Sequence, residues 1–261
     1  ILEDVKTLLE TLKNYKMAEG PSIVFLKNKL TRYRSKTVSE ASGYGEMDKS
    51  RIANIQLMDI DTYGKNLLFV FKDFFIGVHL GLFGSMLINK RKKVNASFAL
   101  HFSDAEINFY VAKTKFHPGK PKDIFNFKTD ILKPEFDPEF ITEELKKEKY
   151  ASQMIGDVLM DQNVFTGVGN IIRVEVLYRA KIHPESIVKE IPEKKLQFLF
   201  KAVVAYAEEF LDLMKTDEVK ELAWVYGKKI CPKDKTELVI EEMGKVKRKT
   251  YVCLKCQKRY T

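Results

Sequence analysis

The sequence predicts an α+β chain in three successive parts: a β-rich half flanked by helices, a helical half, and a small cysteine-bearing hairpin. Three observations carry this expectation. Apolar residues at helical spacing give way to strand patterns between about Arg51 and Val111. Helical periodicity returns after the cap-and-proline pair Asp137-Pro138. The three cysteines, Cys231, Cys253 and Cys256, all fall near the end.

Taken in order, residues 1–16 put Ile1, Val5, Leu8, Leu9 and Leu12 on one face of a short amphipathic helix. Gly20 and Pro21 suit the cap and first position of a second helix, with Ile23, Leu26, Leu30 and Tyr33 on one face. The run Leu67–Phe71 is apolar throughout and stops at Lys72-Asp73, as a strand buried on both faces would. Phe98, Leu100 and Phe102 alternate with small or polar residues, Ser103–Glu106 reads as a turn, and Ile107, Phe109 and Val111 alternate again. Such alternation suits half-buried antiparallel strands joined in hairpins. The stretch HPGKPKD, residues 117–123, marks a loop and domain edge. Residues 139–164 and 192–213 are helical in period, and short strands return around the cysteines.

An apolar fraction of 45% over 261 residues is enough to bury a core, which excludes wholesale disorder. The longest stretch free of Lys, Arg, Asp and Glu, Phe74–Asn89, has 16 residues. That is short of the ~20 a membrane helix needs. Glu3, Asp4 and Lys6 break any secretory signal, and three cysteines cannot build a disulfide framework. A soluble intracellular protein is expected, nuclear in a eukaryote and cytoplasmic, at the nucleoid, in a bacterium. The net charge is +9, and residues 228–261 hold eleven Lys/Arg against four acids. A basic surface this concentrated favours a polyanion, since each neutralised phosphate releases counterions.

Cys231-Pro-Lys-Asp234 is followed, 18 residues on, by Cys253-Leu-Lys-Cys256. Two short-spaced pairs around a hairpin suit one tetrahedral structural zinc, with Asp234 standing where a fourth thiolate is usual. A metal-free hairpin with reduced thiols is the alternative. Lys245, Lys247, Arg248 and Lys249 lie near the hairpin turn, where a guanidinium can meet a phosphate or simply be solvated. Thr166-Gly167-Val168-Gly169-Asn170 forms a tight turn before a helix whose positive end can hold an anion.

These segments, with others, resemble the formamidopyrimidine-DNA glycosylase and endonuclease VIII family of base-excision repair enzymes. The matching pieces are AEGP at Ala18–Pro21, YGK at Tyr63–Lys65 and HLGLFG at His79–Gly84. DQNVFTGVGNIIRVEVLYRAKIHP at Asp161–Pro184, VYG at Val225–Gly227, and a finger with Arg248 five residues before Cys253 complete the set. The resemblance implies an N-terminal β-sandwich with flanking helices, a helix–two-turn–helix domain and a C-terminal zinc-finger-like hairpin. The expected bounds are an extension at 1–17, a catalytic domain at 18–130, a DNA-binding domain at 131–224 and a finger at 225–261.

The resemblance further implies a bifunctional glycosylase and abasic-site lyase acting as a monomer on double-stranded damaged DNA, with no membrane partner. Ala18 would supply its free α-amine as nucleophile, Glu19 would move protons, and Lys65 would contact phosphate and assist. His79, Gly169, Asn170, Tyr226 and Arg248 match the positions that grip and bend the backbone. Leu82 and Phe83 match the loop filling the gap left by a flipped base, and an aromatic there leans towards oxidised pyrimidines. Cys231, Asp234, Cys253 and Cys256 would hold one structural zinc.

Four departures from the family pattern stand out. Ala18 replaces the usual proline, although a primary amine still permits a Schiff base. Ala18 also follows residues 1–17, and while they are attached its nitrogen is a planar amide that cannot attack. Gly156 falls where the family commonly has a phosphate-binding lysine, and VAKTKF at 111–116 replaces an arginine-containing stretch. These last two bear on DNA affinity and opposite-base selection. Two other readings follow: a catalytically silent damaged-DNA binder of the same fold, and a general zinc-finger binder that leaves AEGP and HLGLFG unexplained.

Overall fold

The computed structural model describes residues 18–216, 222–245 and 247–261. The amphipathic helix expected at 1–16 lies outside the described residues. Two compact units divide the chain, one holding Ala18 with Ser22–Phe125, the other Glu19–Pro21 with Asn126–Thr261.

Helix α1, Gly20–Leu30, opens with Pro21 where its missing N–H costs nothing, and a 3-10 turn at Thr31–Tyr33 extends it. Ile23, Leu26, Leu30 and Tyr33 are all buried, as their spacing requires. The strands of the first unit are β1 (Thr37–Val38), β2 (Glu40–Ser42), β3 (Ile55–Gln56), β4 (Asp59–Tyr63) and β5 (Asn66–Val70). They continue with β6 (Phe74–His79), β7 (Ser85–Ile88), β8 (Phe98–Phe102), β9 (Ala105–Tyr110) and β10 (Lys113–Pro118).

Two four-stranded antiparallel sheets result, ordered β10-β6-β5-β4 and β2-β8-β9-β7, beside a small β1-β3 pair. They face each other through aromatic side chains: Phe69 of β5 meets Phe109 of β9 edge-on at 5.8 Å between ring centroids. Leu67, Leu68 and Phe69 are all buried because β5 is a central strand of its sheet. Each such side chain contributes roughly 1.5–3 kcal/mol by leaving water.

Three boundaries differ from expectation. The β8–β9 turn is only Ser103-Asp104, with Ala105 already paired to Phe102. Val111 does not continue the strand: it has φ +54 and is 61% exposed, a left-handed kink that is costly for a β-branched residue. β10 runs on through His117, whose ring stacks on Phe75 at 4.6 Å, so the loop begins at Gly119. Pro118 is tolerated there because β10 is an edge strand.

A four-residue helix α2 (Pro121–Ile124) closes the first unit, and in the second unit α3 (Pro138–Lys146) is capped by Asp137 Oδ1 accepting from the N–H groups of Glu139 and Phe140. The helical stretch expected at 139–164 is not continuous. Lys147 and Met154 adopt extended backbone and leave three pieces, α3, α4 (Glu148–Ala151) and α5 (Ile155–Val158). Helices α6 (Asn170–Ala180) and α7 (Glu193–Thr216) pack together. α7 buries one stripe, including Leu196, Leu199, Phe200, Val203, Ala207 and Phe210, whereas α6 is buried on nearly all sides. A hairpin of β11 (Val239–Met243) and β12 (Arg248–Val252) ends the chain. No helix among the described residues is long and apolar enough to cross a membrane.

Candidate functional site

In the second unit the turn before α6 brings Glu19 onto the helix start. Gly20 N–H donates to the Gly167 carbonyl at 2.8 Å, which fixes the segment. The Glu19 carboxylate, 4% exposed, then accepts the N–H of Ile171 at 2.7 Å and of Ile172 at 3.2 Å. The first N–H groups of a helix have no partner within it, so Glu19 satisfies two and sits at the positive end. Gly169 is required by this packing: a β-carbon there would lie 2.3 Å from the Glu19 carboxyl carbon.

Asn170 links the helix start to the finger. Its Nδ2 donates to the Lys249 carbonyl at 2.9 Å, and its Oδ1 accepts from Arg173 Nε at 3.1 Å. Arg173, 1% exposed, also donates to Thr250 of β12. Burial above all, with the charge of Arg248 adding to it, lowers the Arg173 guanidinium to about 10. Tyr226 hydrogen-bonds Asn170 and lies 5.3 Å from the Tyr251 ring; burial raises its phenol. Glu19, Gly169, Asn170, Tyr226 and Arg248 therefore share one neighbourhood.

Other residues stand elsewhere. Ala18 immediately precedes Glu19 in the chain and is half-buried. Lys65 occupies the β4–β5 turn of the first unit, beside His79, whose Nδ1 is 3.2 Å from Asn66 Oδ1. Burial first, then the charge of Lys65, keeps the His79 imidazole below the usual histidine range. Leu82 and Phe83 project from an exposed turn, at 53% and 70% exposure. Neither side chain belongs to the core.

The cysteines form a real cluster. One ligand atom each from Cys231, Asp234, Cys253 and Cys256 lies within 4.8 Å of all the others. Cys231 and Cys256 sulfurs are 3.9 Å apart, close to the about 3.8 Å that tetrahedral Zn–S bonds impose. Asp234 Oδ2 accepts from the Cys253 and Cys256 thiols at 3.0 and 3.2 Å, while Oδ1 is held by Thr236. The carboxylate thus presents one oxygen to the three sulfurs, and the donor set fits a divalent metal.

Sequence reasoning passed over two buried charges, Arg173 and Glu175, and a half-buried one, Asp157, that organise this unit. Arg173 has been described. Glu175, fully buried on α6, accepts N–H groups from Trp224, Val225 and Tyr226 at 3.1, 2.9 and 2.7 Å. Burial raises its carboxyl, against the pull of those bonds. Asp157 accepts the Lys245 N–H at the hairpin tip at 3.0 Å. The signal was an Arg and a Glu inside the apolar run IIRVEVLY, where a solvated face would have needed more polar neighbours.

Residues 128–218 match the family model described as formamidopyrimidine-DNA glycosylase H2TH domain. The chain is 28% identical over 208 residues to endonuclease 8-like 3 of Mus musculus, covering 76% of this chain and 34% of the relative. It is 32% identical over 198 residues to endonuclease 8-like 2 of Bos taurus (70% of this chain, 58% of the relative). To formamidopyrimidine-DNA glycosylase of Bacillus licheniformis it is 28% identical over 231 residues (80% and 83%). The fold matches Lactococcus lactis formamidopyrimidine-DNA glycosylase, solved non-covalently bound to DNA containing an AP site. The TM-score is 0.80 at 19% identity, over 92% of this chain and 100% of that one. The chain carries the H2TH domain of the formamidopyrimidine-DNA glycosylases and is similar in sequence and fold to the formamidopyrimidine-DNA glycosylase and endonuclease VIII family.

It spans about a third of the length of its endonuclease 8-like 3 relatives, 34% for the mouse protein. Its order of β-sandwich, H2TH helices and C-terminal hairpin with a cysteine cluster is the family fold. One departure has a packing reason. A β-carbon on Gly156 would lie 2.9 Å from the Pro184 carbonyl oxygen and 3.3 Å from Arg173 Nη1. A side chain at 156 must therefore shift the Pro184 backbone and would crowd the buried Arg173.

Proposed function

We propose that this chain excises oxidised bases from duplex DNA and cleaves the resulting abasic site through a Schiff base on the Ala18 amine. The observation that carries the reading is Glu19, directly after Ala18, with its carboxylate buried against the N–H groups of Ile171 and Ile172. An α-amine titrates near ~8 against ~10.4 for lysine, so much more of it is free to attack at neutral pH. Its lone pair forms a bond to the sugar C1′ as the bond from C1′ to the base breaks. The proton the amine loses passes through Glu19 to the opening sugar oxygen. Loss of a proton from C2′ then expels the 3′ phosphate, and water releases the amine.

In this reading Lys65 assists proton transfer at the phosphate, while His79, Gly169, Asn170, Tyr226 and Arg248 hold the backbone. Leu82 and Phe83 fill the vacated stack, offsetting roughly a few kcal/mol of unstacking. Cys231, Asp234, Cys253 and Cys256 hold one zinc, which supplies a structural tie for the finger bearing Arg248. The domain bounds 18–130, 131–224 and 225–261 belong to the same proposal.

A second reading, a DNA-damage binder without catalysis, is favoured by one fact: Ala18 nitrogen is in amide linkage while Met17 remains attached. Borohydride trapping on abasic duplex DNA decides between them. A covalent adduct mapped to Ala18, in protein beginning there, supports the enzyme. Tight binding without adduct from every form of the chain supports the binder.

A further inference from the structure

The first unit carries a second polar concavity, formed by β2 and the loop after it, β8, β9 and the loop before β8, and none of the residues assigned above lies in it. Its volume is about 430 Å³, inside the ~300–1,000 Å³ range of small-ligand sites. The charged residues lining it, Arg91 and Lys92, are both basic, and the His101 imidazole lines it with them. Lys90 and Lys93 flank these, making four consecutive cations on an exposed loop.

The floor is an ordered row of cross-strand side chains. Ser42 Oγ lies 2.7 Å from His101 Nε2, and His101 Nδ1 lies 3.7 Å from Glu106 Oε2. Glu106 is engaged from the other side by Arg91 Nε at 2.9 Å and by Asn108 Nδ2, also at 2.9 Å. Arg91 spends Nε and Nη2 on that carboxylate, so its Nη1 edge has no protein partner among the described residues.

Tyr44, 66% exposed, stands among the lining residues. Its position depends on Gly43, which has a φ of +116 and where a β-carbon would lie 2.6 Å from the Ser97 carbonyl oxygen, so no side chain is admitted. Tyr44 N–H to Ala96 O at 3.2 Å and Gly45 N–H to Ser97 O at 2.9 Å then pin the loop. A flat ring beside basic groups and hydroxyls combines a stacking surface with a phosphate site, and the Glu106 carboxylate in the floor is already engaged by Arg91 and Asn108.

We propose that this cavity binds a nucleotide, its phosphate at Arg91 and Lys92, with Lys93 flanking them, and its base against Tyr44. The nucleotide is either a free nucleoside monophosphate or one unit of an undamaged single strand. The inference does not depend on the Schiff-base reading, because no residue is shared.

The test is titration of the ¹⁵N-labelled full chain with 5′-AMP, with a dT single strand and with inorganic phosphate, followed at the Gly43, Tyr44 and Ala96 amides. AMP, the strand or both should shift these amides. Binding by AMP identifies the free nucleotide as ligand, and binding by the strand alone identifies a unit of single-stranded DNA. Tyr44→Ala and Lys93→Glu, both exposed changes, should each weaken binding by about fivefold or more with Tm unchanged. The proposal is overturned if neither ligand moves the amides, if phosphate binds as tightly as AMP, or if Tyr44→Ala leaves affinity intact.

Discussion

A β-carbon on Gly169 would stand 2.3 Å from the carboxyl carbon of Glu19, inside any real contact distance. The glycine therefore exists for the carboxylate, and Gly169→Ala must push Glu19 off the N–H groups of Ile171 and Ile172. Overpacking of this kind costs about 1–3 kcal/mol. We expect a lower Tm and at least a tenfold loss (~1.4 kcal/mol in barrier terms) of borohydride-trapped adduct. Wild-type trapping from Gly169→Ala would dissociate Glu19 geometry from the chemistry.

Leu82 and Phe83 are exposed, so removing them should not touch stability. Leu82→Ala with Phe83→Ala is expected to shift Tm by less than about 2 °C, in line with surface changes within ~0.5 kcal/mol. Affinity for lesion-containing duplex should fall about tenfold, because an apolar wedge offsets unstacking. Equal weakening on undamaged duplex, measured by anisotropy, would argue for a general contact instead.

Burial and Lys65 keep His79 below the ordinary histidine range, so its imidazole is neutral at pH 7 in the free protein. A phosphate contact favours the protonated form, and binding then takes up a proton. Duplex affinity should weaken as pH rises from ~5.5 to ~8, and His79→Gln should flatten that dependence. The readout is Kd against pH at fixed salt, since phosphate contacts are salt-sensitive.

For the cysteine cluster, metal analysis should find one zinc per chain, and chelation should lower Tm. Asp234→Ala should reduce zinc retention on dialysis, with Thr236→Val giving a smaller loss by releasing Oδ1. Unchanged stoichiometry in Asp234→Ala would leave a three-thiolate site completed by something other than this carboxylate.

Glu106 is held down to about 2, chiefly by the hydrogen bonds from Arg91 and then Asn108. A carboxyl depressed on folding stabilises above its unfolded value and loses that contribution as pH falls. The Tm of the wild type should therefore drop between ~4.5 and ~2, and Glu106→Gln should remove part of that drop. Circular dichroism melts across this range measure it, and an unchanged acid limb would assign the loss to other carboxylates.

Much of the fold was legible because periodicity reports burial directly. Ile23, Leu26, Leu30 and Tyr33 line one face of α1, and the apolar run at 67–71 supplies the central strand β5. The cysteine spacing brought Asp234 among the sulfurs. Illegible features had tertiary causes. Val111 is apolar and in phase with its strand, yet the chain kinks there into left-handed backbone. The helix expected at 139–164 breaks at Lys147, a residue no local rule marks as a stop. Arg173 and Glu175 sit two apart inside an apolar run and share no helix face, and the packing of α6 buries both. Their partners, Thr250 and the 224–226 backbone, lie far along the chain, so spacing could not announce them.

The triple grip of Glu175 on residues 224–226 has a consequence for protein engineering. Exchanging the terminal hairpin for that of a relative transplants three amide hydrogens that need an acceptor buried in another segment. A chimera made with a host lacking an acid at that helical site would leave the joint without its mooring. Successful grafts should therefore be sought by moving the helix and the hairpin as a pair.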